Sequence, residues 1–263
     1  MNILVFIKQV ADTEARIIIK SDNRSLEIEN KFNLNFFDEF AVEEAIRLKA
    51  KVKDSKVTVC TYGSKKAIEA LRTAIAMGAD QAYLIDNTDL DTEDPLITAK
   101  ILAGFARKEG FDLILCGRQA IDDENGNIGV MVSEFLNIPH VSAITKLDVV
   151  DEKKIIVEND VEGGKETKEI ILPALLTTQK GINEPRVPLI TGVMKAMKAN
   201  IPVVEPTSLG FAKEMIDKNA SKIKVISYET PKGRPPVKII EGETSEEKVK
   251  KLIKLLKEEA KVL

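Results

Sequence analysis

Apolar residues recur along the chain in short runs that stop at polar residues or glycine. Four lie in the first half: ILVFIKQV (3–10), KVTVCTYG (56–63), AYLIDN (82–87) and DLILCG (112–117). They are rich in β-branched residues and lack the alternation of a strand with one wet face. They predict strands buried on both faces, as in a parallel sheet. Helical spacing fills the gaps between them. FDEFAVEEAIRLKAKV (37–52) places Phe40, Ala41, Ala45 and Leu48 near one face. SKKAIEALRTAIAMGA (64–79) opens on Ser64, a cap candidate, and reaches Gly78 near its end. DPLITAKILAGFARKEG (94–110) is predicted to be capped by Asp94, with Pro95 in the first turn. Strands alternating with helices imply right-handed βαβ units, hence an open, doubly wound, mainly parallel α/β sheet.

Other segments modify this plan. RIIIKSDNRSLEIEN (16–30) predicts a β-hairpin turning at Ser21-Asp22-Asn23, an insertion that a plain doubly wound domain does not need. IGVMVSEFLN (128–137) predicts a helix. AITKLDVVDEKKIIVEND (143–160) and ETKEIILPALLTTQ (166–179), with turns at Asp151-Glu152 and Gly163-Gly164, predict antiparallel strands added at the far end of the sheet. From Asn183 the character changes. NEPRVPLITGVMKAMKANIPVVEPTSLGF carries four prolines and one short helical pattern near VMKAMKA, and GRPPVKII (233–240) follows. SEEKVKKLIKLLKEEAKVL (245–263) predicts an amphipathic helix capped by Ser245, with Glu247 in its first turn. The expected organisation is an α/β domain over 1–183 and a C-terminal arm over 184–263. The arm lies either on its own domain or on a partner subunit.

Composition excludes several functions. The 263 residues are 44% hydrophobic, enough for a sizeable core, and the charges nearly cancel at −3. No global field favours nucleic acid, and the absence of Trp with three Tyr argues against base stacking. No stretch approaches the roughly 18 apolar residues of a membrane helix, and the N-terminus does not read as a signal peptide. The expected setting is the cytoplasm, or an organelle matrix after loss of a presequence. Cys60 and Cys116 fall in predicted strands and read as core thiols. His140, the single histidine, rules out multi-His metal sites and argues against a Ser-His-Asp triad; its place after Pro139 at a strand start suggests a structural role.

The candidate chemistry lies in GRQAIDDENGNIG (117–129). Ligands of open α/β sheets bind at the carboxyl ends of strands, near the switch in strand order. There Lys8, Gln9 and Val10 would meet Thr61, Tyr62 and the loop from Gly117. Residues 123–129 run into a helix start near Ile128, where free N–H groups and the helix dipole favour an anion. Gly126 and Gly129 would allow close approach of a phosphate, and Asn125 and Asn127 can donate amide hydrogen bonds. The loop lacks both a G-K-[ST] ending and G-x-G-x-x-G spacing, which suggests a bound nucleotide without phosphoryl transfer. Other readings stay open. A metal loop built on Asp122, Asp123, Glu124 and Asn125 lacks the alternating calcium register. A carboxylate acid/base pair lacks a nucleophile nearby. A solvated acidic turn would have Asp122 and Asp123 shaping the turn or pairing with Arg118.

Taken together, VFIKQVADTEARI (5–17), NFFDEFAVEEAIRLK (35–49), ALRTAIAMGAD (70–80), GRQAIDDENGNIG, NEPR (183–186) and VMKAMK (193–198) resemble the β subunit of electron transfer flavoproteins, over nearly the whole chain. The resemblance implies a Rossmann-like, adenine-nucleotide-binding domain and an arm whose terminal helix packs on an α subunit holding the redox FAD. It implies an electron carrier, with no catalytic residue of its own, that accepts electrons from flavoprotein dehydrogenases of the acyl-CoA dehydrogenase type. AMP would sit in this chain as a structural ligand. In the electron-bifurcating branch, a second FAD occupies that site and reacts with NADH.

By the same resemblance, Lys8, Gln9, Val10, Thr61 and Tyr62 would surround the adenine and Asn35 would lie near the adenosine. Asp122, Asn125, Gly126, Asn127 and Ile128, within the loop bounded by Gly117 and Gly129, would wrap the phosphate. Phe37 would reach toward the α-subunit flavin, while Thr13 stands where animal members carry a tyrosine. Gly126-Asn127-Ile128-Gly129 replaces Asn-Gln-Thr-Gly of AMP-type members. The loop also departs from the Gly-Asp-Thr-Ala-Gln-Val-Gly-Pro of bifurcating members, and Asp122-Asp123 follows the AMP type. Segment 187–199 corresponds to the family's partner-recognition loop, with Ile190 or Leu189 as an apolar anchor, Met194 beside it, and Lys195 and Lys198 as a basic collar. Burying one such anchor gives about 1.5–3 kcal/mol, suited to transient docking. From the residues alone, Ile190 could instead pack into the chain's own core. A nucleotide-binding sensor module that acts by dimerisation is the competing class, and the arm from Asn183 argues against it.

Overall fold

The structure, a computed structural model, describes residues 1–88, 90, 94–233 and 236–263. Residues 234 and 235 of the GRPPVKII stretch lie outside the described residues. Two compact units are present, Met1–Ile226 and Ser227–Leu263.

The first unit begins with β1 (Asn2–Phe6), β2 (Gln9–Ala11), the pair β3 (Ile17–Ile19) and β4 (Leu26–Ile28), β5 (Phe32–Leu34) and α1 (Phe36–Lys51). There follow β6 (Lys56–Gly63), α2 (Ile68–Met77), β7 (Gln81–Asp86), α3 (Pro95–Glu109), β8 (Leu113–Gly117) and α4 (Ile128–Leu136). Then come β9 (His140–Val149), β10 (Lys154–Val161), β11 (Gly164–Ile171), β12 (Ala174–Thr178), α5 (Ile190–Lys198) and β13 (Val203–Val204). The main sheet runs β11-β10-β9-β12-β8-β1-β6-β7-β13. Every pair from β9 through β12, β8, β1, β6 and β7 to β13 is parallel; β10 is the strand that runs the other way, pairing antiparallel with both β9 and the edge strand β11. This is the expected doubly wound α/β fold.

The apolar runs are explained by their two faces. Ile3, Val5, Val57, Val59, Leu113 and Leu115 pack with α1 and α2 residues such as Ala41, Ala45, Leu71 and Ala74. Their neighbours Leu4, Phe6, Cys60, Ile114 and Cys116 pack with Ile97, Ile101 and Phe105 of α3 and Val132 of α4. Alternate residues go to opposite layers and both layers are dry, so the strands show no hydrophobic alternation. Each large aliphatic side chain buried this way contributes about 1.5–3 kcal/mol. Phe40, Ala41, Ala45 and Leu48 are buried as expected, and Asp94 caps α3, accepting the Leu96 amide at 2.8 Å.

Several local expectations need correction. The run 3–10 is two strands: the chain leaves the main sheet after Phe6, and β2 pairs antiparallel with β5. Ser64 precedes a 3-10 turn, Lys65–Ala67, without a side-chain capping bond, and α2 starts only at Ile68. ETKEIILPALLTTQ is not one antiparallel strand. Its first half is the antiparallel edge strand β11, whereas Ala174–Thr178 is a parallel strand between β8 and β9. Pro173 separates the two, and all five residues of ALLTT are buried, the signature of a strand covered on both faces. The predicted hairpin forms as a separate two-stranded sheet; the Asp22 carboxylate accepts the Arg24 and Ser25 amides in its turn.

In the second unit, α6 (Ser245–Glu258) is capped by Thr244, not Ser245. The Thr244 hydroxyl accepts the Glu247 amide at 3.3 Å, which makes Ser245 the first helical residue. Val249, Leu252 and Ile253 form an exposed apolar stripe along it. Among the described residues, no helix is long and apolar enough to cross a membrane.

Candidate functional site

The crossover through α1 takes the chain from β1 to β6 on one side, while β8 lies on the other side of β1. The strand order therefore switches between β1 and β8, the place where open α/β sheets form a ligand crevice beyond the carboxyl ends of their strands. Residues 7–9 and the loop from Gly117 meet there, with Tyr62 at the end of β6 and Gln179 just past β12.

The start of α1 organises this edge. The buried Asp38 carboxylate accepts the Lys8 amide at 2.7 Å and the Gly117 amide at 2.8 Å. Burial pushes its pKa up to about 7, against the pull of those donors, Asn35 and the Lys8 charge. A Cβ on Gly117 would lie 2.5 Å from Asp38 Oδ1 and 2.7 Å from the Phe37 carbonyl carbon. The glycine is thus what lets α1 close on the strand end. The Asn35 side chain clamps the loop: Nδ2 donates to Gln119 O at 2.9 Å and Oδ1 accepts from Ile121 N at 3.1 Å. Both its polar atoms are engaged by loop backbone. The Thr178 hydroxyl ties β12 to α1 by donating to Phe37 O at 3.1 Å.

The acids of the loop pair differently from expectation. Asp122 and Asp123 bind the Lys8 ammonium, at 2.8 and 3.1 Å, across the switch point. Arg118 instead lies over the Phe37 ring, 4.9 Å from its centroid. The cause is the turn. Glu124 and Gly126 adopt positive φ, 52° and 61°, and Asn125 N donates to the Asp123 carboxylate at 3.1 Å. The acidic pair is thereby carried over the end of β1 and away from Arg118. Burial alone would lower the Lys8 pKa, but Asp122 and Asp123 outweigh it and hold it above the usual lysine value. Among the described residues, no group of three His, Cys, Asp or Glu side chains is placed to hold a metal ion.

Beyond the turn, α4 starts as predicted at Ile128. Asn127 occupies the cap position but its side chain makes no capping bond, so the first amides of α4 lack a side-chain acceptor from it. Gly129 faces the sheet: a Cβ there would meet Thr177 Cγ2 at 2.8 Å and Cys116 Sγ at 3.0 Å. What Gly129 can offer a ligand is its N–H. Four buried polar atoms at this edge have no partner: Tyr62 Oη, Arg118 Nε, Asn127 Oδ1 and Gln179 Oε1. Leaving such groups unsatisfied costs about 1–3 kcal/mol each, so their concentration at one strand edge marks a place for a polar ligand. Tyr62 and Arg118 can donate there, and Asn127 and Gln179 can accept, beside a helix N-terminus that favours an anion. Burial raises the Tyr62 pKa to about 12, so the phenol is neutral.

Other expected residues have local duties. Gln9 Nε2 donates to Lys66 O at 2.9 Å, Val10 is buried within β2, and Thr61 is buried in β6. Phe37 is partly buried, edge-on to the exposed Phe36 at 5.4 Å. Val10, Thr13, Phe32, Phe36 and Glu39 line a neighbouring open cleft of about 330 Å³. Sequence reasoning missed Asp38, Thr178 and Gln179. The last two became visible only once ALLTT was recognised as a parallel strand, whose carboxyl end must face the crevice.

The proline-rich segment presents its apolar residues outward. Leu189 is 75%, Ile190 80% and Met194 55% exposed, and Lys195 and Lys198 are exposed beside them. Packing of Ile190 into the chain's own core is therefore excluded.

Comparison with known proteins agrees with this architecture. The family described as "Electron transfer flavoprotein domain" matches residues 25–209. The chain is 38% identical over 264 residues to electron transfer flavoprotein subunit beta of Bacillus subtilis, covering all of both chains. It is 36% identical to the subunit of that name in Dictyostelium discoideum, covering 99% of this chain and 98% of the other. It is 38% identical to the Homo sapiens subunit, covering 96% of each. With full-length similarity at this level and the expected doubly wound α/β fold present, the chain belongs to the electron transfer flavoprotein family, as a beta subunit.

Proposed function

We propose that the chain is the nucleotide-anchoring half of a heterodimeric electron carrier. It binds AMP at the β1/β8 crevice, pairs with an α subunit that holds FAD, and receives electrons from a flavoprotein dehydrogenase of the acyl-CoA dehydrogenase type. The observation that carries this reading is the set of unpartnered polar atoms, Tyr62, Arg118, Asn127 and Gln179, spread along the carboxyl ends of β6, β8 and β12 and the start of α4. FAD, when bound, supplies the one- and two-electron chemistry, and this chain supplies anchoring and docking. The α4 amides and Arg118 hold the phosphate, and Lys8 neutralises Asp122 and Asp123, which would otherwise repel it. Phe36 and Phe37 lie at the rim where the flavin of the other subunit would approach. Residues 187–199 offer Leu189, Ile190 and Met194, with Lys195 and Lys198, to the dehydrogenase. The arm, with the apolar stripe of α6, lies on the α subunit. The cytoplasm is the setting this reading expects.

The test is to co-express the chain with its α partner, denature the purified complex and identify the released nucleotides by chromatography. One FAD and one AMP per heterodimer supports the simple carrier. Two FAD without AMP replaces it with the bifurcating reading, in which NADH reacts at the β site. A stable homodimer that takes up no α subunit supports the sensor reading.

A further inference from the structure

We infer that Glu43 on α1, gripping Arg186, is a positioning residue that holds the exposed segment 187–199 in the pose that meets the dehydrogenase. The inference rests on the docking role proposed for that segment. Glu43 has a side chain only 4% exposed. Arg186 meets it with a two-pronged fork, Nε to Oε2 at 2.7 Å and Nη2 to Oε1 at 3.0 Å, and adds its own amide at 3.2 Å. Arg47 Nε donates to the same carboxylate at 3.1 Å. A planar fork fixes direction as well as charge, and Arg186 stands only three residues before Leu189. The adjacent Glu44 accepts from Asn183 Nδ2 at 2.9 Å, and the same amide donates to Phe40 O at 3.0 Å. The two neighbouring carboxylates of α1 thus grip both ends of the tetrapeptide 183–186.

The far side of the segment is fixed independently. Ala196 is buried against α2, and a Cβ on Gly192 would clash with Ala76 O, so α5 sits backbone-close on α2. Past α5, Leu84 N donates to Pro202 O at 3.0 Å and β13 joins β7. Between these fixings, Leu189, Ile190 and Met194 face outward. A loop held at both ends and at its middle loses little freedom on docking, which favours affinity without adding contacts. Glu43 and Arg186 touch neither the nucleotide crevice nor the outward apolar residues, so their effect must pass through the pose of the segment.

The experiment uses the heterodimer and medium-chain acyl-CoA dehydrogenase as the electron donor. Arg186→Gln, Arg186→Lys, Gly192→Ala, Ile190→Ala and the Arg186→Gln/Ile190→Ala pair are compared for KM of the carrier, kcat, bound nucleotide and hydrogen exchange across 187–199. The expected result for Arg186→Gln is a KM raised about tenfold, with kcat and nucleotide content unchanged and faster exchange confined to the segment. Arg186→Lys keeps charge without the fork and falls between. Gly192→Ala, outside the ion pair, raises KM in the same way. The double variant is no worse than Ile190→Ala by more than about twofold, because an unheld anchor has little left to lose. A raised KM for Ile190→Ala with normal KM for both Arg186→Gln and Gly192→Ala overturns the positioning role and leaves docking intact. A normal KM for Ile190→Ala overturns the docking reading itself. Loss of nucleotide or a fall in kcat in Arg186→Gln assigns the pair to general stability and also overturns the inference.

Discussion

Asp38 accepts the Gly117 amide at 2.8 Å with one carboxylate oxygen and the Lys8 amide at 2.7 Å with the other, so a single buried acid ties the ends of β8 and β1 at the crevice. Burial raises its pKa to about 7, above the value near 4 of an unfolded aspartate. The folded state therefore keeps a proton that the unfolded state releases. Its contribution to stability is greatest below about pH 4, falls as pH rises towards 7, and is level above. Asp38→Asn removes this titration but can accept only one of the two amides, leaving the other unsatisfied at a cost of about 1–3 kcal/mol. Urea unfolding of both forms between pH 5 and 8 checks this. The wild-type midpoint should decline from pH 5 to about 7 and then level off, and the variant should start lower and decline less.

Gly117 shows the same junction from the other side. Its missing Cβ would sit 2.5 Å from Asp38 Oδ1 and 2.7 Å from Phe37 backbone, so Gly117→Ala must push α1 off the strand end. Overpacking of this kind costs about 1–3 kcal/mol, and the displaced Asn35 clamp should release nucleotide as well. Gly164→Ala, at an edge-strand position with nothing within 4 Å of the added carbon, is the matched control. It should change the unfolding midpoint little and leave nucleotide content untouched. Equal losses in the two variants would remove the special role of Gly117.

The sequence displayed the parallel core because buried strands carry apolar residues on both faces, and the loop because glycine and amide residues cluster before an apolar helix. It hid what depends on distant side chains. Asp38 looked like an ordinary acid in a first helical turn; only the sheet order puts the ends of β1 and β8 within its reach. Asp122 and Asp123 are close in sequence to Arg118, yet positive φ at Glu124 and Gly126 carries them to Lys8, more than a hundred positions away. The tie between Glu43 and Arg186 spans 143 positions, and neither residue signals the other locally. β12 was concealed by reading through Pro173, which hid Gln179 as a crevice residue.

The two thiols give a simple chemical test of the core. Cys60 and Cys116 are buried, and burial raises both pKa values well above the usual thiol range, which suppresses the reactive thiolate. Native protein at pH 8 should therefore resist an aromatic disulfide reagent, and two thiols should react at once in urea. Rapid labelling of either thiol without denaturant would show that β6 or β8 is not covered as described.

The Lys8 bridge separates fold stability from ligand retention. Lys8 and Asp122 have side chains 43% and 34% exposed, so water screens the pair, and Lys8→Met should change stability by no more than about 1 kcal/mol. What little the pair adds is present at neutral pH and is lost as pH rises through the raised pKa of Lys8. Nucleotide binding should respond more strongly. Without the ammonium, Asp122 and Asp123 face the phosphate uncompensated, and repulsion between like charges at close range in a partly dry crevice is worth about 1–2 kcal/mol. AMP should then dissociate from the Lys8→Met heterodimer roughly tenfold faster, by an amount that shrinks as salt is raised. Asp122→Asn placed on Lys8→Met should restore part of the retention by removing one of the two charges. Measurement of AMP remaining after timed gel filtration decides the matter. Retention unaffected by Lys8→Met would mean that the phosphate does not sit beside this acidic pair, and the assignment of the 122–128 turn would have to move.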